Sequence, residues 1–440
     1  MSEPPRVRLQ SLGCRLNEAE LEVWAEGFRR LGLRIAADGE PADLVVINTC
    51  AVTQEAARKS RQMLRRGQRL DRQARLVASG CLATLEPDSL ARAAGPDLVV
   101  ANRDKDRLVE IVVAALDLPV IPKPATEPPS KTLFGRGRQR AFVKVQDGCR
   151  HHCTFCVTTL ARGEERSRPI GEVVEQANRL VDSGIREVVL TGVHLGGYGS
   201  DLGTGPPSDL ADLIRALLAD TVVPRIRLGS LEPWDLPDGF WELFAEPRLM
   251  PHLHLPMQSG SDGVLRRMGR RCKTAELARL AAVGRAAVPG LNLTTDIIVG
   301  FPGETESDWA ETLGFVEAVG FGWVHAFPYS PRPGTRAAGM PGRVDAAARQ
   351  RRGQELARLR DRLRRRVLEA QVGARVEVLR ERAPSSAEPG ELFGYTPNYL
   401  PVRIEPDPVT PAIGEILEVE ILGLAPDGEV LRGRRNPRPA

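Results

Sequence analysis

Three thiols stand close together in the stretch Cys149-Arg150-His151-His152-Cys153-Thr154-Phe155-Cys156. It follows Phe142-Val143-Lys144-Val145, a short run with the β-branched character of a strand. Thiolates are soft ligands that suit iron–sulfur clusters or zinc. Three of them supplied by one tight loop, Cys149, Cys153 and Cys156, hold three irons of a cubane cluster and leave the fourth iron without a protein ligand. An open metal position is where chemistry takes place. Zinc is the rival, with His151 or His152 as fourth ligand, although a structural zinc site usually brings a second paired set and none follows here. Three unconnected reduced cysteines are the plainest alternative.

A second trio is spread over the first hundred residues. Val7-Arg8-Leu9-Gln10-Ser11 reads as a strand ending near Cys14, Leu44-Val45-Val46-Ile47-Asn48 as one ending near Cys50, and Leu76-Val77-Ala78-Ser79 as one ending at Gly80-Cys81. Leu98-Val99-Val100 makes a fourth. Between them lie helical patterns over 17–31, with Leu21, Trp24, Phe28 and Leu31 on one face, and over 54–70. This βαβαβ pattern predicts a parallel sheet. Right-handed crossovers bring its strand ends to one rim, where open α/β sheets bind ligands. Cys14, Cys50 and Cys81 therefore converge as candidate ligands of a second cluster, or else pack as small hydrophobes.

The elements that must position the first trio form a longer β/α series. Strands are expected at 142–145, 187–190, 225–228, 252–255, 293–299 and 323–326, with helices at 170–183, 209–219, 274–287 and 306–319. Six alternating units predict a partial β/α barrel with its site at the carboxyl ends of the strands. Unusual residues follow those strands. Glycines such as Gly192 allow close backbone approach to a ligand. Glu232 is placed to hold an ammonium or ribose hydroxyls, or to act as a helix N-terminal charge. Gln258 and Ser259 are placed to hydrogen-bond an adenosine, or to cap the helix starting near Asp262.

The expected domains are 1–120, a proline-rich linker over 121–135, a barrel domain over 136–371 and a small all-β domain over 372–440. An Arg-dense helix over 345–371 carries an apolar stripe of Leu356, Leu359, Leu363 and Val367. Arg351, Arg352, Arg358, Arg362, Arg365 and Arg366 fill much of the rest, as a solvated face or a rail for RNA phosphates. From residue 372 five short strands alternate with Gly and Pro turns, which predicts a small closed barrel. Tyr395, Tyr399, Arg403, Arg432, Arg434 and Arg435 are its candidates for nucleic-acid contact, with interdomain packing as the other reading.

The bulk composition excludes several classes. The 440 residues carry a formal net charge of +4, so the chain as a whole is no polycation. Seven cysteines are too few and too odd in number for a secreted disulfide scaffold and fit a reducing compartment. No leader-like apolar segment opens the chain and no run is long enough to span a membrane, so the expected location is cytoplasmic.

Taken together, these motifs resemble the radical S-adenosylmethionine (SAM) methylthiotransferases from end to end. Leu12-Gly13-Cys14-Arg15-Leu16-Asn17, Ile47-Asn48-Thr49-Cys50-Ala51-Val52-Thr53 and Ser79-Gly80-Cys81 look like the three cysteine motifs of the family's N-terminal domain. Gln146-Asp147-Gly148-Cys149 through Cys156, with Ala161-Arg162-Gly163, looks like its SAM loop. His254-Leu255-Pro256-Met257-Gln258-Ser259-Gly260-Ser261 and Asp296 through Thr305 resemble later barrel motifs, and the C-terminal barrel resembles a TRAM domain. The resemblance implies an N-terminal open parallel-sheet domain, a partial (β/α)6 radical-SAM barrel and an RNA-binding TRAM barrel. It implies two 4Fe-4S clusters, on Cys149/Cys153/Cys156 and on Cys14/Cys50/Cys81, with Phe155 near the SAM adenine. Reductive cleavage of SAM would generate a 5′-deoxyadenosyl radical that removes the hydrogen from carbon 2 of an adenine. The second cluster would present sulfur, and a second SAM would supply methyl. Leu190 through Gly199 and Gly394-Tyr395-Thr396-Pro397-Asn398-Tyr399 look most like the branch acting on N6-threonylcarbamoyladenosine beside the tRNA anticodon. Related branches act on isopentenyladenosine in tRNA and on a ribosomal-protein aspartate. The implied partners are tRNA, a low-potential electron donor and a sulfur donor. One departure is Cys272, where the family usually has an aromatic; it reads as a core thiol.

Overall fold

The computed structural model describes residues 3–37, 39–71, 73–119, 139–203, 208–385, 388, 390–407 and 410–436. The linker expected over 121–135 lies outside them. The chain divides into two compact units. The first gathers Met1–Leu133, Asp147–Arg166 and Ser330–Gly339, and the second holds Phe134–Gln146, Ser167–Tyr329 and Met340–Ala440. The cysteine loop thus packs with the N-terminal residues.

In the first unit a five-stranded parallel sheet runs in the order β2-β1-β3-β4-β5. Its strands are β1 (Arg6–Ser11), β2 (Arg34–Ile35), β3 (Leu44–Thr49), β4 (Arg75–Gly80) and β5 (Leu98–Val100). β3 is buried along its whole length, as a central parallel strand covered on both faces must be. Helices α1 (Arg15–Arg30), α2 (Gln54–Leu70), α3 (Cys81–Leu85), α4 (Pro87–Ala94) and α5 (Leu108–Ala115) complete this part. Thr53 caps α2 by accepting from the Ala56 amide at 3.0 Å. Val45, Ile47, Leu64, Leu76 and Leu82 centre the core between sheet and helices. The cysteine loop adds α6 (Thr158–Arg162) and is flanked in sequence by the two-residue strands β7 (Gln146–Asp147) and β8 (Arg166–Ser167).

The second unit begins with β6 (Arg140–Lys144), followed by β9 (Glu187–Thr191) and β10 (Arg225–Leu228), and these three pair in parallel. Strands β11 (His252–His254), β12 (Asn292–Val299) and β13 (Trp323–Pro328) form a second parallel set. A parallel bridge between Ser230 and His254 links the two sets, giving the six-stranded partial barrel expected from the sequence. Helices α7 (Ile170–Asp182), α8 (Leu210–Asp220), α9 (Asp262–Met268), α10 (Thr274–Ala287) and α11 (Glu306–Val319) belong to it. The Arg-dense helix is α12 (Ala346–Glu369). Its Leu356, Leu359 and Leu363 join the barrel core, and Leu368 is the next buried apolar position. Arg352 does not belong to the solvated face read from the sequence. It is buried and donates to Glu304 at 2.7 Å and to Glu306 at 2.8 Å. Arg351 pairs with Glu306 and Arg362 with Glu317, while Arg358, Arg365 and Arg366 remain exposed.

The C-terminal strands β14 (Arg375–Glu381), β15 (Leu392–Tyr395), β16 (Pro401–Ile404), β17 (Ile416–Leu424) and β18 (Leu431–Arg435) close into a barrel. Its proposed nucleic-acid aromatics turn out to face protein. Tyr395 and Tyr399 stack with centroids 5.0 Å apart. The Arg140 guanidinium lies 4.4 and 4.9 Å from the two rings, and Arg227 lies 4.6 Å from Tyr399. Arg225 donates to the Tyr395 carbonyl at 3.0 Å. Tyr399 sits at φ 66 in the turn before β16. Arg403, Arg434 and Arg435 pair with Asp427, Glu405 and Asp407, leaving Arg432 as the exposed basic side chain of that set with no ion pair among the described residues. No described helix is long and apolar enough to cross a membrane.

The tyrosine pair is therefore structural. Tyr399→Ala is expected to cost roughly 2–4 kcal/mol, from lost packing and two lost cation–π contacts. Denaturant unfolding of the metal-free protein measures this, and an unchanged midpoint contradicts it.

Candidate metal centre

Cys14, Cys50 and Cys81 follow the carboxyl ends of β1, β3 and β4, three adjacent strands of one sheet. The turn after β1 needs glycine: Gly13 has φ +115, and a Cβ there would lie 2.7 Å from the Cys50 Cβ and 2.8 Å from its Sγ. Ser60 of α2 fixes Cys50 by accepting from its amide at 3.0 Å and donating to its carbonyl at 3.1 Å. Asn102 donates toward the Cys81 sulfur at 3.7 Å and to the Ala161 carbonyl at 2.8 Å. The three thiols sense one another electrostatically. Burial pushes the Cys50 thiol up to about 11, with Cys14 and Cys81 adding to the rise. Burial also raises Cys14, against the pull of Arg162.

The loop trio, Cys149, Cys153 and Cys156, lies in the turn before α6, with all three thiols half-buried. Gly148 opens it at φ +74, where a Cβ would strike the Glu164 carbonyl oxygen at 1.8 Å. The Cys149 amide donates to Gly163 O at 3.1 Å and the Cys156 amide to Cys153 O at 3.0 Å, which closes the loop on itself. The His151 amide points at the Cys149 sulfur at 3.4 Å, and Thr159 donates toward the Cys156 sulfur at 3.8 Å. Phe155 is half-buried between the last two cysteines.

Between the trios lies a buried charge network invisible in the sequence. Arg162, the last residue of α6, donates to Glu20 at 2.9 Å, to Asp147 at 2.8 Å and to Asn17 at 2.8 Å. Lys105 lies 2.5 Å from Glu20 and 3.7 Å from Asp147, and also donates to Asn102 at 3.0 Å. Asn48 donates to the other Glu20 oxygen at 2.8 Å. None of these side chains is more than 3% exposed. Desolvation works against the Arg162 charge, but Glu20 and Asp147, then Cys81 and Cys14, hold it well above the ordinary arginine value. The sequence signals were present but ambiguous: Glu20 sits on the buried side of an amphipathic helix, and Lys105 is one of only six lysines.

The remaining candidates lie in the second unit. A Cβ on Gly192 would come within 2.9 Å of Gln146 Oε1, which already accepts from the Val193 and His194 amides. Glu232 is not at a helix start; both its oxygens accept from Arg270, at 3.1 and 2.6 Å. Gln258 is held at φ 76 by backbone bonds to Asp296 and Ile298, and a non-glycine residue persists there only where its surroundings over-determine it. The N-cap of α9 is Ser261, without a side-chain capping bond. Cys272 is a buried core thiol, pushed up to about 12 by burial.

Two family models match this chain: the Radical SAM superfamily over residues 143–316 and a model described as uncharacterized protein family UPF0004 over residues 6–101. Among solved structures, the radical S-adenosylmethionine methyltransferase TsrM of Kitasatospora setae, with cobalamin and a 4Fe-4S cluster bound, aligns with TM-score 0.57 at 16% identity. That alignment covers 76% of this chain and 77% of TsrM and reports a shared fold. Fold and cysteine loop together define a radical-SAM enzyme. The chain is 36% identical over 428 residues to threonylcarbamoyladenosine tRNA methylthiotransferase MtaB of Bacillus subtilis, covering 94% of this chain and 93% of that one. It is also 36% identical over 437 residues to tRNA-2-methylthio-N(6)-dimethylallyladenosine synthase of Novosphingobium aromaticivorans, covering 97% of each. The protein belongs to the radical-SAM methylthiotransferase family and is MtaB-like.

Membership implies SAM and a 4Fe-4S cluster. The donor chemistry fits. Cys149, Cys153 and Cys156 set three soft, half-buried thiols in one loop, and Cys14, Cys50 and Cys81 set three more at one sheet rim.

Arg162→Ala leaves Glu20 and Asp147 buried with one partner fewer. The expected loss is about 3–5 kcal/mol in the metal-free protein, against less than about 0.5 kcal/mol for exposed Arg15→Ala. Equal unfolding midpoints for the two variants contradict this reading.

Proposed function

We propose that the protein adds a methylthio group to carbon 2 of N6-threonylcarbamoyladenosine beside the tRNA anticodon. In this reading Cys149, Cys153 and Cys156 hold the SAM-binding cluster, and Cys14, Cys50 and Cys81 hold a second cluster. The single observation that carries it is the assembly of both trios in one compact unit, cross-tied by Arg162 and Asn102. Similarity to tRNA-modifying relatives supports the substrate class.

Carbon 2 of adenine carries no acidic hydrogen, so a general base has nothing to work on. The bound cluster and SAM supply the one-electron chemistry that the step requires. The chain's own residues do three things. The cysteine thiolates bind, and the amide of His151 directed at the Cys149 sulfur tunes potential, since hydrogen bonds to sulfur do so. Arg162 places a fixed positive charge that favours the thiolate forms of Cys14 and Cys50. The exposed Arg358, Arg365, Arg366 and Arg432 offer phosphate contacts.

A second reading, dimethylallyladenosine as substrate, is favoured by the equal identity to that synthase. Mass spectrometry of tRNA nucleosides from a deletion strain separates the two. The expected result is loss of 2-methylthio-N6-threonylcarbamoyladenosine, restored by the wild-type gene and not by a Cys14→Ala copy. Loss of the dimethylallyl product instead selects the second reading. Unchanged levels of both, in a strain with no redundant enzyme, reject the proposal.

A further inference from the structure

The strands of the second unit alternate strictly between two faces. Leu253, Leu293, Ile297, Val299 and Val324 belong to the core shared with the helices. Their neighbours His254, Thr294, Asp296, Trp323, His325 and Phe327 therefore point to the opposite, inner face. His254, Asp296 and His325 each bring a donor atom within 4.8 Å of the others. Phe327 lies beside His325, the rings inclined by 27° with centroids 6.4 Å apart, and is 43% exposed. A large, accessible aromatic thus stands beside a half-buried carboxylate and an exposed imidazole.

The hydrogen bonds fix which atoms donate. The Trp323 indole is a donor only, and it lies 3.1 Å from His325 Nδ1. His325 Nδ1 therefore carries a lone pair, and in the neutral ring Nε2 carries the proton. Desolvation lowers His325 from the ordinary histidine value, against the pull of Asp296, which favours the neutral ring. Asp296 Oδ1 lies 3.3 Å from His254 Nε2, and His254 Nδ1 lies 2.9 Å from the Thr294 hydroxyl. That hydroxyl in turn lies 3.2 Å from Nε2 of His252, a histidine that burial keeps neutral. The chain His252–Thr294–His254–Asp296 is satisfied when each histidine protonates Nε2. It braces the Asp296 carboxylate as an acceptor beside the His325 Nε2–H donor. A metal ion would compete with this arrangement, because it needs the unprotonated nitrogen that Trp323 already occupies.

Resting on the reading that an adenosine is the substrate, we propose that Asp296, His325 and Phe327 bind the target adenine itself: Phe327 stacks on the ring, Asp296 accepts from N6–H and His325 donates to N7. Recognition at the N6/N7 edge leaves carbon 2, on the far side of the ring, unobstructed for reaction. Pairs of an acceptor and a donor read adenine at this edge in nucleic-acid complexes generally.

The test is fluorescence anisotropy of the full, anaerobically prepared protein with two anticodon stem–loop RNAs. One carries N6-threonylcarbamoyladenosine at the target position and the other is abasic there. Wild type is expected to prefer the first. Phe327→Ala is expected to reduce that preference about 5- to 100-fold, the range for loss of one base–aromatic stack, and Phe327→Trp to retain it. Asp296→Asn and His325→Phe are expected to reduce it as well, with cluster iron and affinity for the abasic RNA unchanged. Wild-type preference kept in Phe327→Ala and Asp296→Asn overturns the inference. So does a stoichiometric metal beyond the cluster iron that wild type holds and Asp296→Asn loses. A wild type that methylthiolates tRNA while these variants behave normally sinks only this inference, whereas a wild type that modifies no tRNA sinks the function on which it rests.

Discussion

Two cations and two anions, Arg162, Lys105, Glu20 and Asp147, are buried together in the first unit. Taking each out of water costs several kcal/mol, and the cost is offset only if every charge meets its partners in good geometry. The network therefore behaves as a set of fixed distances. It ties α1, the segment before α5, the start of the cysteine loop and the end of α6 to one point. Both cysteine trios hang from those same pieces. Cys14 immediately precedes α1, Cys81 is bonded to Asn102 beside Lys105, and Cys149 to Cys156 lie between Asp147 and Arg162. Local hydrogen bonds hold the cysteines within their turns, and the ionic frame ties together the pieces that carry them.

The second unit uses charge differently. Its helix-facing side is a continuous apolar core, and each of the six strands carries at least one polar or charged residue on its inner face. At the amino ends of the strands that polarity is consumed internally. Glu187 takes both arms of Arg227, the tyrosine pair of the C-terminal barrel covers Arg140 and Arg227, and Arg225 donates to the Tyr395 carbonyl. Toward the carboxyl ends it is left available, as Asp296, His325 and Phe327. One face thus carries a closed structural end and an open chemical end, the division expected when a β/α barrel binds ligands at its strand tips.

Much of this was legible in the sequence because the signals were local. The β-branched runs of β3 and β4 and the pattern of α2 marked their elements to within a residue, and counting along the chain placed Cys14, Cys50 and Cys81 on one rim. What escaped was set by long-range partners. Arg352 reads as one more surface arginine until Glu304, forty-eight positions earlier, buries it. Tyr399 reads as a candidate nucleic-acid contact, yet a left-handed turn aims it at Arg140 and Arg227. Strand β2 is two residues long and α3 five, too short to carry a period. Glu20 and Lys105 pair across 85 residues, and no spacing rule connects them.

The central claim is that each cysteine trio holds its own cluster. Anaerobic iron and sulfide quantification of the wild type, beside Cys14/Cys50/Cys81→Ala and Cys149/Cys153/Cys156→Ala triple variants, tests it most directly. The account predicts about eight irons per chain in the wild type and about four in each variant, one cubane lost in each case. Wild-type iron retained in the Cys14/Cys50/Cys81→Ala variant, or only about four irons in the wild type, would contradict it.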